Sequence, residues 1–296
     1  MNVWPDLPLH EWRDTRDTLH RWTQIVGKIR LALTPLVNHW WNVPLYVTAR
    51  GLTTSAIPWR DRWFDMEFDF VAHVLRIRSS DGRDAAIELE PRSVADFYDA
   101  VFSTLRGLDI ECSIWPVPVE IADTTPLDRD RKHASYDRDF ANRFWRVLAL
   151  TDEVFTKFRS EFVGKCSPVH FFWGSFDLAV TRFSGRPAPA RPEADAVTRE
   201  AYSHEVSSVG FWPGDERLER ASFYSYAAPE PDGFRAATIR PESATYLPDL
   251  GGFYLDYDAV RGASDPEAIL LDFCRSTYAA AADRGGWDRD ALERKS

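Results

Sequence analysis

The sequence predicts an α+β protein built from two pseudo-repeats of helix–antiparallel sheet–helix, packed as one module. Three observations carry this. Each half opens on a long amphipathic stretch, continues as short alternating segments with a late Asp-Gly turn, and closes on a Ser-capped helix. The expected organisation is a first repeat over residues 1–107, a connector over 108–134, and a second repeat with loop insertions over 135–296.

The first helix is expected from about Glu11 to Pro35. Trp12, Leu19, Trp22, Val26, Ile29 and Leu33 fall 7, 3, 4, 3 and 4 residues apart, one stripe of a 3.6-residue helix. A strand is expected at Pro44 to Ala49, running on toward Ile57. Phe64, Met66, Phe68 and Phe70 then alternate with Asp65, Glu67 and Asp69, a strand with an apolar face and an acidic, solvated face. A strand at Val74 to Arg78 runs into Asp81-Gly82, a tight-turn signal, and Ala85 to Glu90 returns. Ser93, three residues before Asp96, caps a helix carrying Val94, Phe97, Val101 and Leu105.

The second half follows the same order. A helix from about Tyr136 to Phe162 carries Phe140, Phe144, Val147, Phe155 and Phe158 on one stripe. Strands follow at Phe176 to Arg182, Tyr202 to Phe211, Ser222 to Ala227 and Gly252 to Tyr257. Asp232-Gly233 matches the earlier turn, and Ser264 with Glu267 caps the last helix. His39-Trp40-Trp41 and His170-Phe171-Phe172 stand at the same junction of the two halves, with Arg50 and Arg182 following 11 and 12 residues later. The connector holds Trp115-Pro116-Val117-Pro118, whose prolines suit an edge strand or extended arm. Its acidic run, Asp123 to Asp139, lacks the Gly and Glu of an EF-hand loop and reads as solvated.

Composition limits the function. Hydrophobic residues are 44% and charged residues 28%, the balance of a globular chain. A net charge of −10 disfavours a general nucleic-acid binder, because such a surface repels phosphate backbones. The opening Met1-Asn2-Val3-Trp4-Pro5-Asp6 lacks the basic and apolar regions of a secretory leader, and no apolar run is long enough to span a membrane. Cys112, Cys166 and Cys274 are widely spaced and odd in number, which fits neither a disulfide framework nor a zinc site. A cytoplasmic setting is expected.

The stretches His39 to Ser55, Phe171 to Gly185, Tyr202 to Gly214 and Phe223-Tyr224-Ser225-Tyr226 resemble an uncharacterised bacterial family, a domain of unknown function about as long as this chain. The resemblance spans nearly the whole chain and implies one intact module. It implies no activity and no catalytic residue.

The richest polar set lies on the strands of the second half: His170, Asp177, Arg182, His204, Glu205, Tyr224 and Tyr226. Buried charge is costly unless paired, so such groups face one another or a ligand. One version is a divalent metal on His170, His204 and Glu205, although strand alternation sends His204 and Glu205 to opposite faces. Another is acid–base chemistry. There His170 or His204 exchanges protons, Glu205 or Asp177 orients the imidazole, and Arg182 with Arg50 grips an anion, with His39 beside them. Trp173, Trp212, Tyr224 and Tyr226 wall the pocket, and the Gly185 to Pro192 loop covers it. No nucleotide-binding glycine motif is present. Small-molecule binding or turnover, with an anionic or aromatic ligand, is therefore the expected function. The rival is a non-enzymatic interaction module that docks a partner through exposed Trp and the proline-containing arm. For Trp22, Trp63 and Trp145 the sequence favours plugs at the ends of the sheets.

Overall fold

The computed structural model describes residues 4–295; Met1-Asn2-Val3, read above for a leader, and Ser296 lie outside the described residues. Helix α1 (Leu9–Leu33) runs through the middle of the molecule, and nearly every residue from Thr15 to Arg30 is buried. Its apolar stripe packs on both halves: Trp22 stacks on Phe97 at 4.4 Å, and Trp12 lies 5.2 Å from Phe144. Its polar stripe, Arg16, His20, Gln24 and Lys28, is buried too. Thr34 adopts extended backbone and ends the helix, as the residue before Pro35 must.

The first sheet comprises β1 (Tyr46–Val47), β2 (Gly51–Thr53), β3 (Ile57–Trp59), β4 (Arg62–Asp69), β5 (Val74–Ser79) and β6 (Asp84–Glu88), all pairings antiparallel. Its order is β1-β2-β4-β5-β6, with β3 also on β4. The β5–β6 turn places Gly82 at φ +89°, where a side chain is disfavoured. Leu52, Phe64, Met66, Phe68, Leu75 and Ile77 form the inner face. Helix α2 (Val94–Gly107) closes the half, with the Ser93 hydroxyl accepting from the Asp96 amide at 3.1 Å.

The acidic face of β4 differs from the solvated face expected. Glu67 and Asp69 are buried. Asp69 ends its strand and accepts from the amides of Val71 and Ala72, at 2.9 and 2.8 Å, and from Arg50 Nε at 2.6 Å. Glu67 accepts from the Thr48 hydroxyl at 2.7 Å and from Arg78 at 2.9 Å. The carboxylates meet the unpaired amides of a turn and two guanidinium groups, which compensates their burial.

The connector contains no regular element and lies as an extended arm. Gln24 of α1 clamps it, donating to the Val119 carbonyl at 2.8 Å and accepting from the Val119 amide at 2.9 Å. Its acidic run is not wholly solvated: Asp130 is buried against Arg21 at 3.1 Å and His133 at 2.7 Å.

In the second half, α3 (Arg138–Ser160) starts at Asp137, whose carboxylate accepts from two backbone amides. There follow β7 (His170–Phe172), β8 (Asp177–Pro187), α4 (Ala196–Ala201), β9 (His204–Trp212), β10 (Ser222–Ala228), β11 (Thr245–Leu247), β12 (Gly252–Asp256), α5 (Tyr257–Arg261), α6 (Pro266–Arg284) and α7 (Arg289–Leu292). The strands form an antiparallel sheet in the order β11-β12-β10-β9-β8-β7. Helices α3 and α6 cover one face, over Leu178, Val180, Val209, Phe211 and Phe223.

Two expected signals act differently. Asp265, not Ser264, caps α6, because Pro266 takes the first helical position and puts the cap one residue later. The Asp232-Gly233 turn does not close a hairpin. It leads through a short turn out to β11 at the sheet edge, so β10 pairs with β12. The two His-aromatic-aromatic junctions also differ: His39 and Trp40 sit in a left-handed turn at φ 58° and 61°, whereas His170 to Phe172 form β7. Leu45 and Phe171 exchange both backbone hydrogen bonds at 2.9 Å, which joins the edges of the two sheets, and one continuous core contains residues of both halves.

Candidate functional site

The second sheet carries its unusual chemistry on the face turned away from α3 and α6. Strand pairing sets the rows of that face. Across one row run His170, Ala179, Gly210, Tyr224 and Tyr254; across the next run Thr181, Ser208 and Tyr226; beyond it lie Phe183, Val206 and Ala228. Small residues in the middle strands make room for large rings from β10. A Cβ on Gly210 would stand 2.2 Å from the Tyr224 ring, so only glycine lets that ring lie across β9.

Asp177 starts β8 on this face and is buried. It accepts hydrogen bonds from the hydroxyls of Ser175 and Tyr224. Burial pushes the Asp177 carboxyl up, and it pushes the Tyr224 and Tyr226 phenols well above the ordinary tyrosine value. Tyr224 stacks on Tyr226 at 6.1 Å, and the Tyr226 hydroxyl lies 3.0 Å from that of Tyr202. Tyr254 stands 6.3 Å from Tyr224 and is pushed up to about 12 by burial. Trp212, beside this row, carries Arg217 over its ring at 5.0 Å.

The connector adds a carboxyl that the sequence reading missed. Glu120 as a residue is exposed, yet its Oε1 would lie 2.6 Å from a Cβ on Gly174. The residue is exposed as a whole, but its carboxyl is ringed by protein. That partial loss of bulk water, with the Asp177 charge nearby, pushes Glu120 up to about 7. Helix α1 sets both walls. Gln24 fixes the arm at Val119, and His20 Nε2 donates to the Gly174 carbonyl at 2.8 Å. The carbonyl can only accept, so Nε2 carries the proton. His20 also stacks at 4.9 Å on Phe176, which has the left-handed conformation at φ 61° in a turn closed by its amide on the Phe172 carbonyl.

A second polar group lies on the same face, beyond Tyr226. His39 Nδ1 donates to the Glu200 carbonyl at 3.0 Å, and its Nε2 accepts from Lys165 Nζ at 2.5 Å. Lys165 in turn lies over Phe183 at 4.8 Å and Trp41 at 5.6 Å. Both imidazole nitrogens of His39 are thus engaged, and burial with the Lys165 charge lowers its pKa. His204 meets His39 edge-on at 5.7 Å. The loop expected to cover the site reaches it through Arg191, which lies 4.7 Å over Tyr202.

The structure therefore brings Asp177, Tyr224, Tyr226 and Trp212 together on one face, with His170, His39 and His204 farther along it, and puts Arg182 on the other. His170 is fully buried, with Nε2 3.4 Å from the Tyr46 hydroxyl and Nδ1 without a partner; burial pushes it down to about 3. Burial disfavours its charged form and shields the ring from solvent. Glu205 is tied to Arg186 at 2.6 Å and to Ser184 at 2.8 Å and orients no imidazole. Arg50 is engaged by Asp69 on the first sheet. Arg182 stands five residues from Asp177 on a regular strand, hence on the opposite face. Trp173 is a plug: its Nε1 donates to the Val43 carbonyl at 2.8 Å and its ring packs on Gly27 of α1. Trp22 is buried and the Trp145 Nε1 donates to the Thr48 carbonyl at 3.0 Å, but Trp63 is 57% exposed and plugs nothing. Among the described residues, no three His, Cys, Asp or Glu side chains converge as a metal-ligand set. Burial pushes the Cys166 thiol up to about 11, which keeps it protonated at neutral pH.

A family model matches residues 4–294, nearly the whole chain. The chain belongs to the family of unknown function DUF5996. No curated protein and no solved structure matches it. The family assignment covers the arm, both sheets and every residue of the Glu120–Asp177 site as one matched unit. No helix among the described residues is long and apolar enough to cross a membrane.

Proposed function

We propose that this protein binds and turns over a polar, ring-bearing small molecule on the helix-free face of its second sheet, by proton transfer at Glu120 and Asp177. The observation that carries the reading is the pair of unlike carboxyls. Asp177 is buried and hydrogen-bonded by Ser175 and Tyr224, while Glu120 is an exposed residue whose carboxyl faces Gly174 and feels the Asp177 charge. Two acids in contrasting surroundings are the arrangement that separates a proton donor from an orienting group. In this reading Glu120, pushed up to about 7, exchanges the proton near neutral pH. Tyr224, Tyr226, Tyr254 and Trp212 provide ring surfaces for stacking. We read the two halves as diverged copies of one helix–sheet–helix unit, of which the second carries the site. A reducing, cytoplasmic setting fits the three free cysteines.

The test is a carbon-13 titration of the glutamate side chains in the wild type and in Glu120→Gln, followed by addition of monosaccharides and of small aromatic acids. A carboxyl titrating near 7 that vanishes in the variant, and ring signals of Tyr224 and Tyr254 that shift with one ligand class, are the expected results. A Glu120 midpoint at the ordinary value near 4.5 would remove the proton-transfer reading.

A non-enzymatic docking role has one observation in its favour. Trp115 of the arm is 67% exposed, and Lys28 lies 5.4 Å over its ring. Trp115→Ala leaving a pulled-down partner in place would sink that alternative.

A further inference from the structure

Arg182 lies on the other face of the second sheet, between α3 and α6. Its guanidinium is packed among aromatic rings: the Cζ atom stands 3.5 Å from the centroid of Phe158, 4.3 Å from Tyr278 and 5.0 Å from Phe162. It donates to the Phe158 carbonyl, and its Nε has no partner. The residue is 2% exposed, yet no described carboxylate forms an ion pair with it. Glu161, which adds to the field at Arg182, is held by Arg275 Nε at 3.0 Å.

The ring faces and the Phe158 carbonyl offset part of the cost of burying this guanidinium, and no carboxylate of the described residues completes the compensation. Arg182 lines an open cleft of about 780 Å³ between the C-terminal ends of α3 and α6 and the short α7. Six arginines and three carboxylates line it, and Asp272 pairs with one of the arginines from outside, which leaves a surplus of two positive charges on a chain whose net charge is −10. Arg275 and Arg289 are already paired, with Glu161 and with Asp283 and Glu293, and Arg240 is paired with Asp272. Arg284 and Arg294, both exposed, form no ion pair among the described residues; Arg294 donates to the Ser160 carbonyl at 3.0 Å.

We propose that this cleft is a binding site for a phosphorylated small molecule, with Arg182 at its floor and Arg284 and Arg294 at its rim. An exposed guanidinium matches two oxygens of one phosphate through paired N–H groups, as Arg284 and Arg294 can at the rim, while buried Arg182 adds positive charge beneath them. The cleft is of the size that encloses a small ligand. It is independent of the Glu120–Asp177 site, because β8 turns Arg182 and Asp177 to opposite faces.

Calorimetric titration with inorganic pyrophosphate at fixed ionic strength tests this, with malonate as the competing dicarboxylate. The wild type should bind pyrophosphate and prefer it to malonate. The double variant Arg284→Gln/Arg294→Gln, altered only at exposed positions, should bind at least about ten-fold more weakly. Arg182→Met should lose binding, and pyrophosphate should raise the melting temperature of the wild type by more than that of either variant. If Arg182→Met fails to fold, the double variant still decides. Absence of binding by the wild type at millimolar pyrophosphate, or unchanged affinity in the double variant, overturns the site. Equal affinity for malonate overturns the phosphate assignment.

Discussion

Gln24 is the residue through which α1 positions Glu120, and Gln24→Leu tests that link. The side chain is fully buried and forms two hydrogen bonds to one backbone unit, 2.8 Å to the Val119 carbonyl and 2.9 Å from its amide. Leucine keeps most of the volume and removes both bonds. A neutral hydrogen bond contributes about 1 kcal/mol net, so two lost bonds should cost about 2 kcal/mol. The full penalty for orphaned groups does not apply, because Val119 is only partly buried and water reaches its backbone once the arm lifts. The arm should then move Glu120 away from Gly174 and Asp177, and its midpoint should fall from about 7 toward 4.5. Urea unfolding reads the first quantity and carbon-13 titration the second. A variant that loses stability while Glu120 still titrates near 7 would refute the claim that Gln24 sets the site.

Two further outcomes are expected. Gly210→Ala puts a Cβ 2.2 Å from the Tyr224 ring, which should displace that ring from Asp177 and cost about 1–3 kcal/mol; an unfolding midpoint equal to wild type would show that the ring is free to move. His20 and His170 are both held down to about 3 by burial, against 6.5 when unfolded. The folded state therefore refuses protons that the unfolded chain accepts. Each histidine leaves stability unaffected above pH 6.5 and lowers it by about 1.4 kcal/mol per pH unit as pH falls from 6.5 toward 3. His170→Gln should flatten the acid limb of a stability-against-pH curve by one histidine's share, and an unaltered slope would contradict its buried, neutral state.

The elements with strong periodicity were legible because burial follows the period. The stripe of Trp12, Leu19, Trp22, Val26 and Ile29 identifies α1, and the Phe64 to Phe70 alternation identifies β4. The second stripe of α1 was not legible. His20 and Gln24 are four residues apart and polar, a pattern that ordinarily marks a wet helix face, and here both are buried against the arm and the β7–β8 turn. Alternation alone places Tyr224 with Tyr226 and sets Arg182 against Asp177, so the division of the expected pocket into two sites was already implicit in strand parity. Register across strands was not, since it depends on which strands pair. Glu120 left no signal at all, because an irregular arm has no period to betray where a side chain points.

That blind spot follows from how the site is assembled. A sheet face can present Asp177 and a row of tyrosines by alternation, but all of them are held in place by partners in the same sheet. An accessible acid beside them has to arrive from outside the sheet, on a segment that owes its position to side-chain hydrogen bonds rather than to its own backbone pairing. The arm meets that requirement next to Glu120 through Val119, whose backbone Gln24 clamps, and farther along through Asp130 on Arg21. The outer face of the first sheet has no such visitor: its acids Asp65, Glu67 and Asp69 are matched by Arg78 and Arg50. The same kind of face is therefore closed by ion pairs in one half and completed by the arm in the other, which is why the proposed chemistry is placed on the second.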